Sequence, residues 1–259
     1  MTVAVLLGVT ACAAQTPSVP SPGQGGSVAG DQQETGSATI ASGTLTELQM
    51  VPYTEDQITQ VLRPMQGDVG RVVPKALYKQ KFEEDAAKLE RFKVTPESCR
   101  PFLITPDSEL GETIQEGMTA GALNFGTDVP GQSSMLAAID PKGGHPKRFE
   151  ALQAAALACS SVSFSYGGQE SSGSVQRIEP LSTGNVLTVR SRWKTHNSKN
   201  TTPQEGIWMF AQSGSVMVSL GSVLTSTTMD DVPQSQVDDA ANKMKSKLLQ
   251  TFEGFSKLT

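Results

Sequence analysis

Apolar residues recur every three or four positions in several segments of the chain, a spacing that predicts amphipathic helices. Thr54 and Gln57 have the sequence of a capping box, so we expect the first helix to begin there. Thr95 and Pro96, an N-cap residue followed by proline at the first helical position, predict a short helix that carries Cys99. The longer helices are predicted at residues 54–65, 78–92, 146–159 and 235–255.

Two of these helices have a continuous apolar side. In the helix at residues 146–159 it consists of Phe149, Leu152, Ala156 and Leu157. The C-terminal helix should cover one face of a sheet, because an amphipathic helix must bury its apolar side against another element. Its apolar side consists of Val237, Ala241, Met244, Leu248, Phe252 and Phe255.

After Cys159 the period changes from that of a helix to that of a strand. Residues 161–166 alternate strictly, with small hydroxyl side chains on one face and apolar side chains on the other. Consecutive strands at short spacing predict an antiparallel meander packed against the helices, and the order of elements predicts an α+β fold. The other strands are predicted at residues 175–181, 186–195, 206–212 and 215–224.

The N-terminus has the features of a lipoprotein signal peptide. Its apolar run, Val3–Val9, is too short to span a bilayer and is followed by Ala11 and Cys12. This resembles the bacterial lipobox, in which a small residue precedes a cysteine that receives diacylglycerol on its sulfur. No Lys or Arg precedes the run, which leaves open whether Met1 is the true start. The alternative is an ordinary buried cysteine, which the Gly/Pro/Ser-rich segment that follows would leave without packing partners.

Residues 13–43 contain almost no large apolar side chains and cannot repay the entropy of folding. As a flexible coil, this tether would have a root-mean-square span of roughly 30 Å. The predicted organisation is a signal peptide at residues 1–11, a lipidated, disordered linker at 12–48 and one folded domain at 49–259. The domain is expected on the extracytoplasmic face of the cell membrane.

The charge balance bears on the class of partner. The chain has 21 Lys and Arg against 26 Asp and Glu, a formal charge of −5. Its overall field should repel phosphate backbones, so we expect no nucleic-acid partner.

Three cysteines are present, an odd number for a secreted chain. If Cys12 is lipidated, Cys99 and Cys159 remain in an oxidising compartment, where they can form a disulfide. The alternatives are two buried free thiols or a metal site. Because only two histidines are present and no CxxC or HxxxH spacing occurs, we expect the disulfide and no metal or other cofactor.

One combination of these features resembles a known family. The chain has a helix that begins at Thr-Pro-Glu-Ser-Cys (residues 95–99) and a second helix that ends at Ala158 and Cys159. Ser-Val-Ser-Phe, the meander and the C-terminal helix follow. The arrangement resembles the PknH-like extracellular sensor domain of actinobacterial lipoproteins and receptor Ser/Thr kinases, over residues 52–255. This implies a cleft-bearing domain that senses or binds an extracellular ligand, without defined catalytic residues. Kinase-linked members often have two disulfides, so no ligand-site geometry is carried over.

The strand from Val186 carries the clearest candidate site. At period two, its apolar residues point to one face and its basic residues to the other. Such a face is typical of a solvated sheet surface and also of an anion site. We call these basic residues the cationic ladder, and we expect a variant with Arg190→Glu and Arg192→Glu to lose anion binding without unfolding. The ladder consists of Arg190, Arg192, Lys194 and His196.

The next strand is apolar on both faces and includes Trp208 and Phe210. If helices cover only one side of the sheet, these two residues would form an apolar groove beside the ladder. Such a groove would suit an acidic lipid or a cell-wall fragment. Helices on both sides would remove it.

We therefore favour a lipid-anchored extracytoplasmic module that binds or senses an envelope component. The alternatives are a structural or partner-binding envelope lipoprotein, which a flat apolar patch would favour, and an envelope hydrolase with an unrecognised site. No GxSxG motif occurs, and His145, at the beginning of a helix, is interpreted as a cap or a solvent-exposed residue. No catalytic residue is assigned, and we do not expect an enzyme.

Overall fold

The computed structural model of the protein describes residues 44–66, 71–74, 92–103, 118–126, 128–166, 169–196, 201–225 and 231–258. The predicted signal peptide, the tether at residues 13–43 and all of the predicted helix at 78–92 except Phe92 lie outside these ranges. An antiparallel sheet packs against helices, and one disulfide joins Cys99 to Cys159. The predicted α+β class and cysteine pairing are thus confirmed. Among the described helices, none is both long and apolar enough to span a membrane.

The helices begin close to the predicted positions. The capping box is present, since Gln57 N donates to Thr54 Oγ1 over 3.2 Å and Thr54 N donates to Gln57 Oε1 over 2.8 Å. The short helix that carries Cys99 is a 3-10 helix, Glu97–Phe102, and Pro96 rather than Thr95 is its N-cap, because Thr95 is still paired in a strand. The α-helices are α1 (Glu55–Leu62), α2 (His145–Ala158) and α3 (Gln234–Ser256).

The described residues form nine strands in one antiparallel sheet. They are β1 (Arg71–Pro74), β2 (Lys93–Thr95), β3 (Thr119–Asn124), β4 (Gln132–Ile139), β5 (Val162–Tyr166), β6 (Gln169–Arg177), β7 (Val186–His196), β8 (Thr201–Ser213) and β9 (Val216–Thr225). Across the sheet the order is β1-β3-β4-β9-β8-β7-β6-β5-β2. Because β5 to β9 are neighbours in chain order, the predicted meander is confirmed. The edges are short, with 4 residues in β1 and 3 in β2.

The sequence pattern does not predict β1 to β4. β3 reads TAGALN and β4 reads QSSMLAAI, so both lack most of the β-branched and aromatic side chains that mark strands. A small residue is needed in β3, because a Cβ added to Gly121 would lie 2.7 Å from Ile58 Cγ2. The glycine therefore lets α1 approach the sheet closely. The same glycine makes β3 harder to recognise as a strand from the sequence, because glycine is disfavoured in strands.

One face of the sheet packs against α1 and α3. Ile58 and Leu62 of α1 are fully buried there, and so are strand residues such as Ile207 and Met209 of β8. All six members of the predicted apolar side of α3 are buried in the same core. The prediction that the C-terminal helix covers one sheet face is thus confirmed.

The opposite face packs against α2 and the Cys99 helix. Phe149, Leu152 and Ala156 of α2 are buried in this second core, next to the disulfide. Leu157, predicted on the same side, is instead 72% exposed. At 3.6 residues per turn, the next packing position after Ala156 is Cys159, and Leu157 is turned outward. Helices therefore lie on both faces of the sheet.

Candidate functional site

The cationic ladder lies on the sheet face that α3 covers in part. Arg190 is opposite Ile207, a member of the α3 core, and directly paired residues of antiparallel strands share a face. Arg192 and Lys194 lie on the same face at period two. His196 is the last residue of β7, and its side chain is outside the described part of the structure. The alternation of faces is present, whereas anion binding stays a prediction.

Two members of the ladder are held by a carboxylate from the neighbouring strand. Glu205 of β8 pairs with both Arg190 and Arg192, and the Arg192 Nε to Glu205 Oε1 distance is 3.2 Å. The exposed side-chain fraction is 5% for Glu205, 12% for Arg190 and 54% for Arg192. Arg190 Nη1 also donates to Gln234 Oε1 at the beginning of α3, over 2.7 Å.

Arg190 therefore has mainly a structural role and is not part of an open binding surface. A glutamate at this position would place a second carboxylate beside the buried Glu205. Unpaired buried charges are strongly destabilising. The expectation that reversing both Arg190 and Arg192 leaves the fold intact is corrected accordingly, and the exposed members of the face are the better test positions.

Lys194 is the exposed end of the described ladder. Its register partners are Ser172 on β6 and Pro203 on β8, so no carboxylate lies opposite it. Among the described residues, no carboxylate forms an ion pair with Lys194 or with Lys93 on β2. Both ammonium groups are therefore available to an anion from solvent.

Beyond Lys194 the same face of the sheet continues as a hydroxyl-rich surface. The strand register places Thr95, Ser163 and Ser172 side by side in one row. The next row contains Lys93, Ser165 and Glu170. The two rows line a shallow cavity of about 490 Å³, which we call the serine hollow. It is lined by Lys93, Thr95, Ser163, Phe164, Ser165, Glu170, Ser171 and Ser172.

The predicted apolar groove is absent from this surface. Trp208 and Phe210 have 0% and 1% exposure and lie in the core under α2 and the Cys99 helix. Trp208 Nε1 donates to Ser191 Oγ over 2.7 Å, and the Phe210 ring meets Phe102 edge-on at 5.8 Å. The groove prediction was wrong because helices cover both sides of this part of the sheet. No acyl chain can reach these rings without displacing the core.

His145, the first residue of α2, is buried rather than solvent-exposed, which corrects the prediction for it. Its Nε2 lies 3.1 Å from the carbonyl oxygen of Ala138, which can only accept, so the ring donates from Nε2. Gly144 is the N-cap of α2, and its N–H donates to Asp140 Oδ2 over 2.7 Å. His145 is thus a buried residue that helps to hold the beginning of α2 against the chain near Ala138.

Burial lowers the pKa of His145, and Arg148 acts in the same direction, while Asp140 and the Ala138 carbonyl oppose the shift. Because the unfolded pKa is about 6.5, the unfolded chain binds the proton more readily than the folded chain. The contribution of His145 to stability is therefore complete above that pH and is lost as the pH falls below it. We expect the free energy of unfolding, measured in urea between pH 7 and 5, to decrease on acidification.

The control for this prediction is His145→Gln, which keeps a hydrogen-bond donor but does not titrate. Its stability should change less with pH over the same interval. An equal pH dependence in both proteins would show that other groups are responsible.

The serine hollow is only partly predictable from the sequence. The alternation at residues 161–166 does indicate that Ser163 and Ser165 share a face. No local pattern indicates Lys93 and Thr95, because β2 has 3 residues and reaches this surface only by pairing with β5. Glu170 was missed because β6 begins six residues earlier than its apolar pattern, in a Ser/Gly-rich segment.

Comparison with known proteins gives weak matches to solved structures, of which two are described. No protein-family model and no curated protein matches the chain. The extracellular domain of PknH from Mycobacterium tuberculosis is 10% identical, with a TM-score of 0.42 over 77% of this chain and 98% of that one. An uncharacterized protein from Mycobacterium smegmatis, a Rv0999 ortholog, is 16% identical, with a TM-score of 0.34 over 78% and 99%. Both similarities are too weak to assign a function or ligand, and membership of the PknH-like family stays a prediction.

Proposed function

We propose that the protein is a lipid-anchored extracytoplasmic binding module whose cationic sheet face takes an anionic ligand of the cell envelope. The observation that carries the location is the Cys99–Cys159 disulfide, with both residues fully buried. Such bonds persist in oxidising compartments and are rare in the cytosol. With these two sulfurs joined, Cys12 is the one cysteine left for a lipid anchor.

The binding part of the proposal is supported by local charge. The polar face contains four described basic side chains, Lys93, Arg190, Arg192 and Lys194, against Glu170 and Glu205, in a chain whose formal charge is −5. A local excess of cations on an acidic protein attracts anions to that surface. This face is therefore the favoured position for an anionic ligand.

The shape of the surface favours a ligand over a docked protein. The serine hollow is concave, and seven of its eight lining residues are polar. Within the described ranges, Met50 and Leu157 are the large apolar side chains that are exposed, and they do not form a patch. Apolar patches are the usual mark of a stable protein interface. Ligand binding is therefore preferred to the structural or partner-binding alternative.

The anchor can be tested with Cys12→Ala in the full chain, expressed in a bacterium that processes lipoproteins. We expect the wild-type protein to sediment with membranes and to carry an acyl mass increment. The variant should move to the soluble extracytoplasmic fraction, because a protein without acyl chains loses its hydrophobic attachment. Wild-type protein without an acyl group would reject the anchor.

Ligand binding can be tested by replacing the exposed cations. We expect Arg192→Gln with Lys194→Gln to weaken binding of soluble muropeptides or of phosphatidylglycerol vesicles by about tenfold or more, because charge-assisted hydrogen bonds are lost. The matched control is Lys142→Gln with Lys147→Gln, which removes two exposed cations at and before α2. Equal binding by the two double variants would reject the face as the anion site.

A further inference from the structure

The half of the polar face that no described helix covers combines hydroxyl groups with separated cations. Ser163 and Ser172 are exposed in the centre, Lys93 lies on one side, and Lys194 on the other. Glu170 adds an acceptor in the row of Lys93. The surface thus offers hydrogen-bond donors and acceptors between two positive charges, with β2 at one end and β7 at the other.

The side chains that the strand register places on this half of the face are polar, and Phe164 of the opposite face also lines the hollow. The apolar residues of the same strands, Val94, Phe164 and Trp193, point to the opposite side, where Phe164 contacts Trp193 edge-on at 6.4 Å. An acyl chain needs apolar surface to leave water. The surface is therefore unsuited to a lipid tail and suited to a ligand that is polar along its whole length.

The spacing of the cations sets a minimum ligand size. β2 and β7 are separated by β5 and β6, and Lys93 is two residues along β2 from Thr95, which lies in the row of Lys194. The backbone positions of Lys93 and Lys194 are therefore about 16 Å apart. With both side chains standing roughly perpendicular to the sheet, a single phosphate or a single sugar ring would not span the two ammonium groups. An extended chain of several units, with hydroxyl groups between acidic groups, can contact both lysines and the serines between them.

We propose that the serine hollow and Lys194 together bind an acidic oligosaccharide. The hydroxyls of Thr95, Ser163 and Ser172 would exchange hydrogen bonds with sugar hydroxyls, since each serine or threonine both donates and accepts. Lys93 and Lys194 would pair with carboxylates or other acidic groups carried on different sugar units. This inference rests on the proposed function and specifies its ligand class as an anionic glycan rather than an anionic lipid.

The test uses trigalacturonic acid as the acidic oligosaccharide and maltotriose as its neutral counterpart. Binding to the full chain carrying Cys12→Ala is measured by NMR titration, in wild-type background and with Lys93→Gln or Ser163→Val. Valine is favoured in strands, so Ser163→Val should fold while it removes a hydroxyl and fills the hollow. The matched control for Lys93→Gln is Lys147→Gln, an equal charge change on α2.

We expect trigalacturonic acid to bind and maltotriose to bind more weakly. Lys93→Gln and Ser163→Val should each weaken binding of trigalacturonic acid about fivefold or more, as expected for one lost hydrogen-bonding contact. Lys147→Gln should leave that binding unchanged. Unchanged unfolding midpoints of the variants would show that the loss is local.

Three outcomes overturn the inference in distinguishable ways. If trigalacturonic acid fails to bind, or binds independently of Lys93 and Ser163, while phosphatidylglycerol vesicles still require Lys194, the glycan assignment falls and the proposed function stands. If phosphatidylglycerol vesicles bind through Lys93 and trigalacturonic acid does not, the ligand is a lipid headgroup. If none of these anionic probes binds, both proposals fall together.

Discussion

Replacing Cys99 and Cys159 together with alanine is expected to lower the free energy of unfolding by about 4 kcal/mol. The disulfide joins residues 60 positions apart, and closing a loop of that length removes much of the conformational entropy of the unfolded chain. Because a domain is typically stable by only about 5–15 kcal/mol, the effect should be large. Urea unfolding followed by circular dichroism would measure it.

Reduction of the wild-type protein provides the control for the cysteine variant. It breaks the same bond without removing side-chain volume, so both samples should lose similar stability. A loss below about 1 kcal/mol in the double variant would mean that the second core holds the Cys99 helix against α2 without the covalent link.

Glu205→Ala is the second change with a large expected effect, a loss of about 3–5 kcal/mol in unfolding free energy. The substitution removes the carboxylate that pairs with Arg190 and leaves a guanidinium that is only 12% exposed. Burying an unpaired charge costs far more than the pair itself contributes. Thermal or urea unfolding of the purified variant would show the loss.

A second substitution can separate lost pairing from lost packing. Adding Arg190→Met to Glu205→Ala removes the unpaired charge, so we expect it to recover most of the stability. Asp239→Ala is the comparison for an exposed pair, since it breaks a 3.0 Å contact with Lys243 on α3 and should cost less than about 0.5 kcal/mol. Failure of Arg190→Met to recover stability would assign the loss to packing.

Elements with strong periodicity could be predicted from the sequence. The α3 helix is marked by six apolar positions that all become buried, and β7 by basic residues at every second position from Arg190 to His196. β3 and β4 could not be predicted, because small and polar residues replace most of the side chains that identify strands, and in β3 Gly121 lies at a close contact with α1. The second helical layer was also unpredictable, since the apolar character of β8 is compatible with one covered face or two.

The same distinction applies to the candidate site, where local periodicity was predictable and strand register was not. Arg192 and Lys194 share a face by local geometry, which period two reveals. Glu205 becomes their neighbour only through the register of β8 against β7, and Lys93 only through the pairing of β2 with β5. Local patterns contain no information on register between distant segments. The charges of the ladder were therefore predictable, but their neutralisation by Glu205 was not.

The short edges of the sheet bear on how copies of the domain behave when crowded. Among the described residues, β8 has 13 and lies in the interior of the sheet, whereas the outermost strands β1 and β2 have only 4 and 3 and so expose few backbone groups. Pro74 on β1 has no N–H to donate, and Lys93 on β2 adds a charge that disfavours stacking. If the domain is lipid-anchored as proposed, copies on one bilayer would collide often, and these edges should protect them from strand-mediated polymerisation.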